Sequence, residues 1–223
     1  MKIALVMEWS TCDGKNPIVE ATLKKVAEAN GHTVVNYGQF KKAEEDDKTC
    51  RQTYNQNAIL IGALLNSGAA DFVVTGCGTG EGAMIAANTM PGVTCGLVTD
   101  PSDSYLFTQV NGGNCMSLPF AKGWGWGAEV NLEYVFEKLF VKEPGGGYPE
   151  SAAASEQRNA GLLNKLKAVA HNDMKEILTT LGESEDPDLK EMVQAAFGGV
   201  RFDLFKADCK DPEILAAVEK ALA

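Results

Sequence analysis

Along residues 1–140 the hydrophobic positions switch repeatedly between two periods. Residues 2–7 are almost continuously apolar, the pattern of a strand buried on both faces. Pro17 suits a first helical turn, and Ile18, Ala21, Leu23, Val26 and Ala27 then recur at helical spacing until Asn30-Gly31 stops the helix. The same alternation predicts further strands at 32–36, 72–75, 93–98 and 115–118. It predicts helices at 58–65, 83–88, 103–109 and 128–140. The mixed charges of 41–48 read as a solvated loop.

Strands and helices in strict alternation, joined by short connections, predict an α/β fold: a Rossmann-like, doubly wound, five-stranded parallel sheet. Such sheets bind ligands beyond the carboxyl ends of their strands, near the reversal of strand order. Functional residues are therefore expected just after the first, third and fourth strands. After Phe140 the texture changes. Glu143-Pro144-Gly145-Gly146-Gly147-Tyr148-Pro149 has a linker's composition, and helical patterns follow at 153–181, 187–197 and 211–222. The expected organisation is an α/β domain over 1–142, a Gly/Pro hinge over 143–150 and a helical extension over 151–223. The first helix of that extension carries Leu162, Leu163, Leu166, Val169 and Ala170 on one face and is expected to pack on a partner subunit.

Composition narrows the function. A net charge of −10, from 30 acids and 20 bases, disfavours nucleic acid, and the doublets Lys24-Lys25 and Lys41-Lys42 are too small to serve it. A small anion remains open, but only Arg51, Arg158 and Arg201 offer a guanidinium fork. No apolar run reaches the roughly 18–20 residues of a membrane span, and Glu8 interrupts any leader-like start, so a cytoplasmic protein is expected. The cysteines at 12, 50, 77, 95, 115 and 209 form no Cys-x-x-Cys pair. With two histidines, His32 in a helix-to-strand turn and His171 in mid-helix, neither a metal centre nor a Ser-His-Asp triad is expected.

The chemistry concentrates in Thr75-Gly76-Cys77-Gly78-Thr79-Gly80-Glu81-Gly82, between a strand and a helix. Dense glycine brings backbone N–H groups against a ligand, and their field favours a thiolate. A thiolate base beside N–H donors suits proton abstraction next to a carbonyl. Two other readings compete. Gly78-x-Gly80-x-x-Ala83 formally fits a dinucleotide fingerprint, but it follows the third strand rather than the first. A tight turn requiring positive φ would explain glycines, though not four of them.

Gly76-Cys77-Gly78-Thr79-Gly80-x-Gly82, then Ile85-Ala86-Ala87-Asn88 and Pro91-Gly92-Val93, resembles the RpiB/LacA/LacB sugar-phosphate isomerases, as do Asp100-Pro101 and Asn111-x-x-Asn114. The resemblance covers about residues 1–160. It implies a Rossmann-like homodimer or tetramer with shared active sites that interconverts aldose and ketose phosphates through a cis-enediol, without metal or other cofactor. It further implies Cys77 as the base, with Thr79 and the N–H groups of Gly78, Gly80 and Gly82 stabilising the enediolate. Asn111 would reach the neighbouring subunit's site, and Arg158 would meet phosphate.

The departures from that pattern are specific. Glu8-Trp9 stands where the family has Asp-His, so Glu8 can bind a sugar hydroxyl but Trp9 brings no charge to a phosphate. The ring-opening histidine falls at Val110, a second phosphate arginine at Ala154, and the glutamate base of another branch at Ala83. A sugar that is already open is therefore one expected substrate, beside pentose or hexose phosphates and unphosphorylated sugars. A catalytically inactive sugar-phosphate-binding subunit is the competing class.

Overall fold

The computed structural model describes residues 1–41 and 51–223; the charged loop expected over 41–48, Lys42 and Cys50 fall almost wholly outside them. The chain runs β1 (Lys2–Val6), α1 (Asn16–Ala29), β2 (Thr33–Asn36), α2 (Tyr54–Asn66), β3 (Phe72–Cys77), α3 (Glu81–Ala87), β4 (Cys95–Leu97) and α4 (Pro101–Leu106). A π-helical turn (Phe107–Asn111) continues α4, followed by β5 (Cys115–Pro119) and α5 (Ala128–Leu139). After a short turn (Glu150–Ala152) come α6 (Ala153–Ala170), α7 (Met174–Gly182), α8 (Pro187–Ala196), α9 (Arg201–Asp208) and α10 (Pro212–Leu222).

All five strands are parallel, in the order β2-β1-β3-β5-β4. The expected doubly wound sheet is there. Its order differs from simple succession in one respect that matters for the site: β5 lies beside β3, and three-residue β4 is displaced to the edge. Residues after β5, rather than those after β4, therefore neighbour the loop that follows β3.

Helices cover both faces of the sheet. On one side α1 and α5 meet Ile3, Leu5, Phe72, Val74 and Met116. On the other, α2 is apolar almost all round, with every residue from Asn57 to Leu64 buried. A helix of that kind needs cover on two sides. The sheet supplies one, and α7, α8 and α10 supply the other, through Met174, Leu178, Val193 and Val218. Gly62 marks the closest approach: a Cβ there would lie 2.8 Å from Met174 Sδ and 3.0 Å from Met90 Cβ. Thr53 and Gln56 start α2 with a reciprocal capping box.

The expected appendage over 151–223 divides in two. Helices α7–α10 are built into the same core as α2 and the sheet of their own chain. Only α6 has no buried residue, with Leu166 64% and Val169 86% exposed. The expected helix over 153–181 breaks at His171-Asn172-Asp173, where the Asp173 side chain accepts the Glu176 N–H (2.8 Å) and starts α7. His171 thus closes α6 instead of lying inside a helix. Lys167, whose ammonium is pulled down by burial, anchors α6 by donating to the Val93 carbonyl and to Thr94 Oγ1 (2.7 Å). The Gly/Pro segment is pinned as well: the amides of Gly145 and Gly147 donate to the Thr108 and Gln109 carbonyls (2.8 and 2.9 Å).

Candidate active site

Strands β1 and β3 pair directly, with Val6 opposite Thr75, and the chain leaves them in opposite directions across the sheet. That divergence is the switch-point crevice. Cys77 ends β3 there, with its residue 7% exposed. The loop after it is polarised. The Cys77 carbonyl accepts the Phe120 N–H (2.8 Å), the Gly78 carbonyl those of Ala121 and Lys122 (3.0 and 2.9 Å), and the Gly80 carbonyl the Ser117 hydroxyl (2.6 Å). By contrast, the N–H groups of Gly78, Thr79 and Gly80 have no acceptor among the described residues. Every one of those carbonyls is tied back to β5 and the turn after it, which leaves three successive amides for a ligand.

Two glycines make this geometry possible. At Gly76 a Cβ would sit 2.2 Å from the Leu118 carbonyl oxygen, so no side chain fits between β3 and β5. Gly80 has φ +82°, a left-handed conformation that turns the chain into α3. Thr79 is exposed and its Oγ1 accepts the Glu81 N–H (3.3 Å), while Gly82 faces the Tyr54 ring.

Across the crevice, the turn after β1 carries Glu8 and Trp9. Glu8 is buried and its carboxylate accepts both Ser10 Oγ (2.8 and 2.7 Å) and Thr11 Oγ1 (3.2 Å). The Trp9 N–H donates to the Gln52 carbonyl (2.8 Å), which brings the start of α2 to this rim. The Arg51 guanidinium lies 4.9 Å from the centre of the Trp9 ring, in cation–π range. Trp9 carries no charge itself, yet it seats a cation at the place where the family pattern has a histidine. The sequence offers Arg51 as one of three guanidinium forks, but carries no signal that it stacks on Trp9.

Asn111 and Arg158 lie elsewhere. Helix α4 begins beyond the carboxyl end of β4, and its π-helical continuation ends where β5 begins. Asn111 therefore sits at the amino ends of the strands, a strand length from Cys77, or roughly 16 Å at 3.3 Å per residue. There Val110 and Asn111 line a cleft of about 200 Å³ with Glu156, Asn159 and Leu163 of α6, the helix whose exposed surface carries Arg158. The turn with Glu8 and Trp9 and the loop with Cys77, Gly78, Thr79, Gly80 and Gly82 follow adjacent strands, β1 and β3, whereas Asn111 and Arg158 belong to the cleft at the other end of the sheet.

A second thiol lies near the β1 turn. Cys12 is buried and its Sγ donates to the Trp9 carbonyl (3.3 Å); burial, reinforced by Asp13, pushes its pKa up to about 11. It is a poor base at neutral pH. Cys95 and Cys115 face each other at the amino end of the sheet, and burial raises Cys115 well above the ordinary thiol range. Among the described residues no three His, Cys, Asp or Glu converge as metal ligands, and no helix is long and apolar enough to cross a membrane.

A thiol followed by a glycine-rich loop thus lies at the switch point of a parallel sheet, where open α/β sheets bind their ligands. Residues 4–143 match the sequence model of the Ribose/Galactose Isomerase family (LacAB_rpiB), and the chain belongs to that family. Among solved structures it resembles a 4-deoxy-L-threo-5-hexosulose-uronate ketol-isomerase crystallised with a tartrate, at 49% identity and a TM-score of 0.88, covering 100% of this chain and 99% of that one. It also resembles ribose-5-phosphate isomerase LacAB_rpiB from Vibrio parahaemolyticus, at 44% identity and TM-score 0.86, with the same coverage. The type B ribose 5-phosphate isomerase of Leishmania infantum, 16% identical with a TM-score of 0.57, shares the fold over 76% of this chain and 97% of its own. The two near relatives thus match the C-terminal helices as well, whereas that shorter enzyme matches about three quarters of the chain. The fold and a sugar-isomerase membership agree with what the cysteine–glycine block implies.

Proposed function

We propose that this chain is a ketol-isomerase of an open-chain sugar that carries an anionic group. Cys77 is the base. As a thiolate it removes the proton from C2 of the aldose, the electron pair forms the C1–C2 double bond, and O1 becomes an enediolate oxygen held by the amides of Gly78, Thr79 and Gly80. A proton moves from O2 to O1, and the Cys77 thiol returns its proton to C1, giving the ketose and restoring the thiolate. The observation that supports this reading is the polarised loop: a nearly buried thiol followed by three amides without an acceptor among the described residues.

A sugar acid is the favoured substrate. The 49% identical relative is named for a hexosulose uronate, and Val110 stands where the family pattern has its ring-opening histidine. A sugar phosphate is the second reading, favoured by the 44% identical relative named for ribose 5-phosphate. Comparing kcat/KM for 4-deoxy-L-threo-5-hexosulose uronate, erythrose 4-phosphate and ribose 5-phosphate decides between them. The uronate should lead by at least tenfold; a lead for ribose 5-phosphate rejects it. Ligand-induced thermal stabilisation without turnover of any of the three would indicate an inactive binding subunit.

The active unit is a homo-oligomer in this reading. Asn111 and Arg158 cannot reach Cys77 of their own chain, and α6 offers Leu162, Leu163, Leu166 and Val169 to a second copy. Their contribution would be made to a neighbour's site.

A further inference from the structure

Arg201, the first residue of α9, is 1% exposed and makes no ion pair among the described residues. Its four acceptors are all neutral. Nε donates to the Tyr37 carbonyl (3.0 Å) and Nη1 to Asn57 Oδ1 (2.8 Å), while Nη2 donates to the carbonyls of Met7 (3.2 Å) and Gly38 (3.1 Å). Burial pulls the guanidinium down to about 9, so it is still charged at neutral pH. A buried charge without a counter-ion is a poor way to gain stability, and a well-packed apolar side chain would serve a core better. What the planar fork does supply is fixed geometry toward several acceptors at once.

Those acceptors converge on one place. The Met7 carbonyl belongs to the peptide that leads into Glu8. The Met7 N–H donates to the Gly38 carbonyl (2.6 Å), and the Gln39 N–H returns to the Met7 carbonyl (3.0 Å). Arg201 thus locks the point where β1 and β2 end and the Glu8–Trp9 turn begins. A second tie runs parallel to it: Gln52, whose carbonyl holds the Trp9 N–H, donates from Nε2 to the Ala195 carbonyl (3.1 Å) at the end of α8. Both ties originate beyond residue 143, where the family match ends.

We propose that Arg201 is a positioning residue through which the C-terminal helices hold the Glu8–Trp9 turn in its substrate-binding geometry. The claim rests on the reading of Glu8 and Trp9 as substrate groups. Cys77 and its loop are fastened to β5 instead, so Arg201 governs affinity for the sugar more than the proton transfer itself.

Arg201→Lys keeps a charge but loses the fork. It should raise KM for the hexosulose uronate at least tenfold, with kcat within about threefold of wild type. Amide hydrogen exchange should accelerate in peptides covering 7–12 and 37–39 and stay unchanged over 76–82. Val218→Ala, a buried substitution in the same extension that touches neither tie, is the control for stability alone: Tm falls and KM stays. Should Arg201→Lys fail to fold, Asn57→Ala removes one acceptor while leaving the guanidinium in place, and a smaller KM rise of three- to fivefold is expected. An unchanged KM in whichever variant folds, or exchange no faster over 7–12, overturns the proposal. If wild type turns over none of the three sugars the functional reading fails instead, and the exchange result alone then judges the grip of Arg201 on the turn.

Discussion

The Phe120 amide donates to the Cys77 carbonyl at 2.8 Å, so the residue that carries the site thiol is oriented by the last strand of the sheet. Strand β5 also fixes the loop beyond it, through Ser117, Ala121 and Lys122. The β3–β5 seam is therefore where packing and chemistry meet. At Gly76, a methyl group would press on the Leu118 carbonyl and the Phe120 ring. Gly76→Ala should destabilise the fold by about 2 kcal/mol or more, read as a lower urea midpoint, because neither neighbour is a free side-chain end.

The loop glycines should separate by conformation. Gly80→Ala demands a left-handed alanine and a Cβ 2.6 Å from Leu97 Cδ1. About 1–2 kcal/mol of strain is expected, with a clear fall in kcat. At Gly78 a Cβ meets only Ala121 Cβ, at 3.7 Å, and φ is not positive. Gly78→Ala should fold with a Tm close to wild type.

The proposed sharing of sites between subunits makes a mixing prediction. Cys77→Ser alone and Asn111→Ala with Arg158→Ala should each be nearly inactive. Refolded together in equal amounts, they should recover about a quarter of wild-type activity, since half the dimers are mixed and one site in each of those is intact. Leu166→Glu with Val169→Glu should shift sedimentation toward the monomer and remove activity. A fully active monomer at micromolar concentration would contradict the oligomer.

The Cys12 thiol, raised to about 11 by burial, binds its proton more tightly in the folded chain than in the unfolded one. Its contribution to stability is present below the ordinary thiol pKa and is lost as pH rises from about 9 through 11. The urea midpoint of wild type should therefore drop between pH 8 and pH 10, and Cys12→Ala should flatten part of that drop. At pH 8, iodoacetamide should inactivate Cys12→Ala as fast as wild type, because Cys12 is not the reacting thiol.

Most of the sheet was legible because its strands are apolar runs bounded by helices and glycine, and the loop at 76–82 was legible because glycine clusters are local signals. Helix α9 was not: Arg-Phe-Asp-Leu-Phe-Lys-Ala-Asp over 201–208 has no clean apolar face, since it buries a charged residue, Arg201, as well as Phe205. The break before α7 did have a signal, Asp173 three residues ahead of Glu176, which the long apolar pattern masked. The placement of β5 beside β3, the Arg51–Trp9 stack and the Arg201 ties all depend on where the chain returns in space. No local pattern encodes that.

Solvent isotope incorporation shows whether Cys77 moves a carbon-bound proton. Wild type, incubated with the hexosulose uronate in deuterium oxide, should place deuterium on the carbon that receives the proton. Cys77→Ser, folded by circular dichroism, should do so about a thousandfold more slowly, the middle of the range of general-base effects of about 10²–10⁴. Deuterium entering at the wild-type rate in Cys77→Ser would show that another group carries the proton.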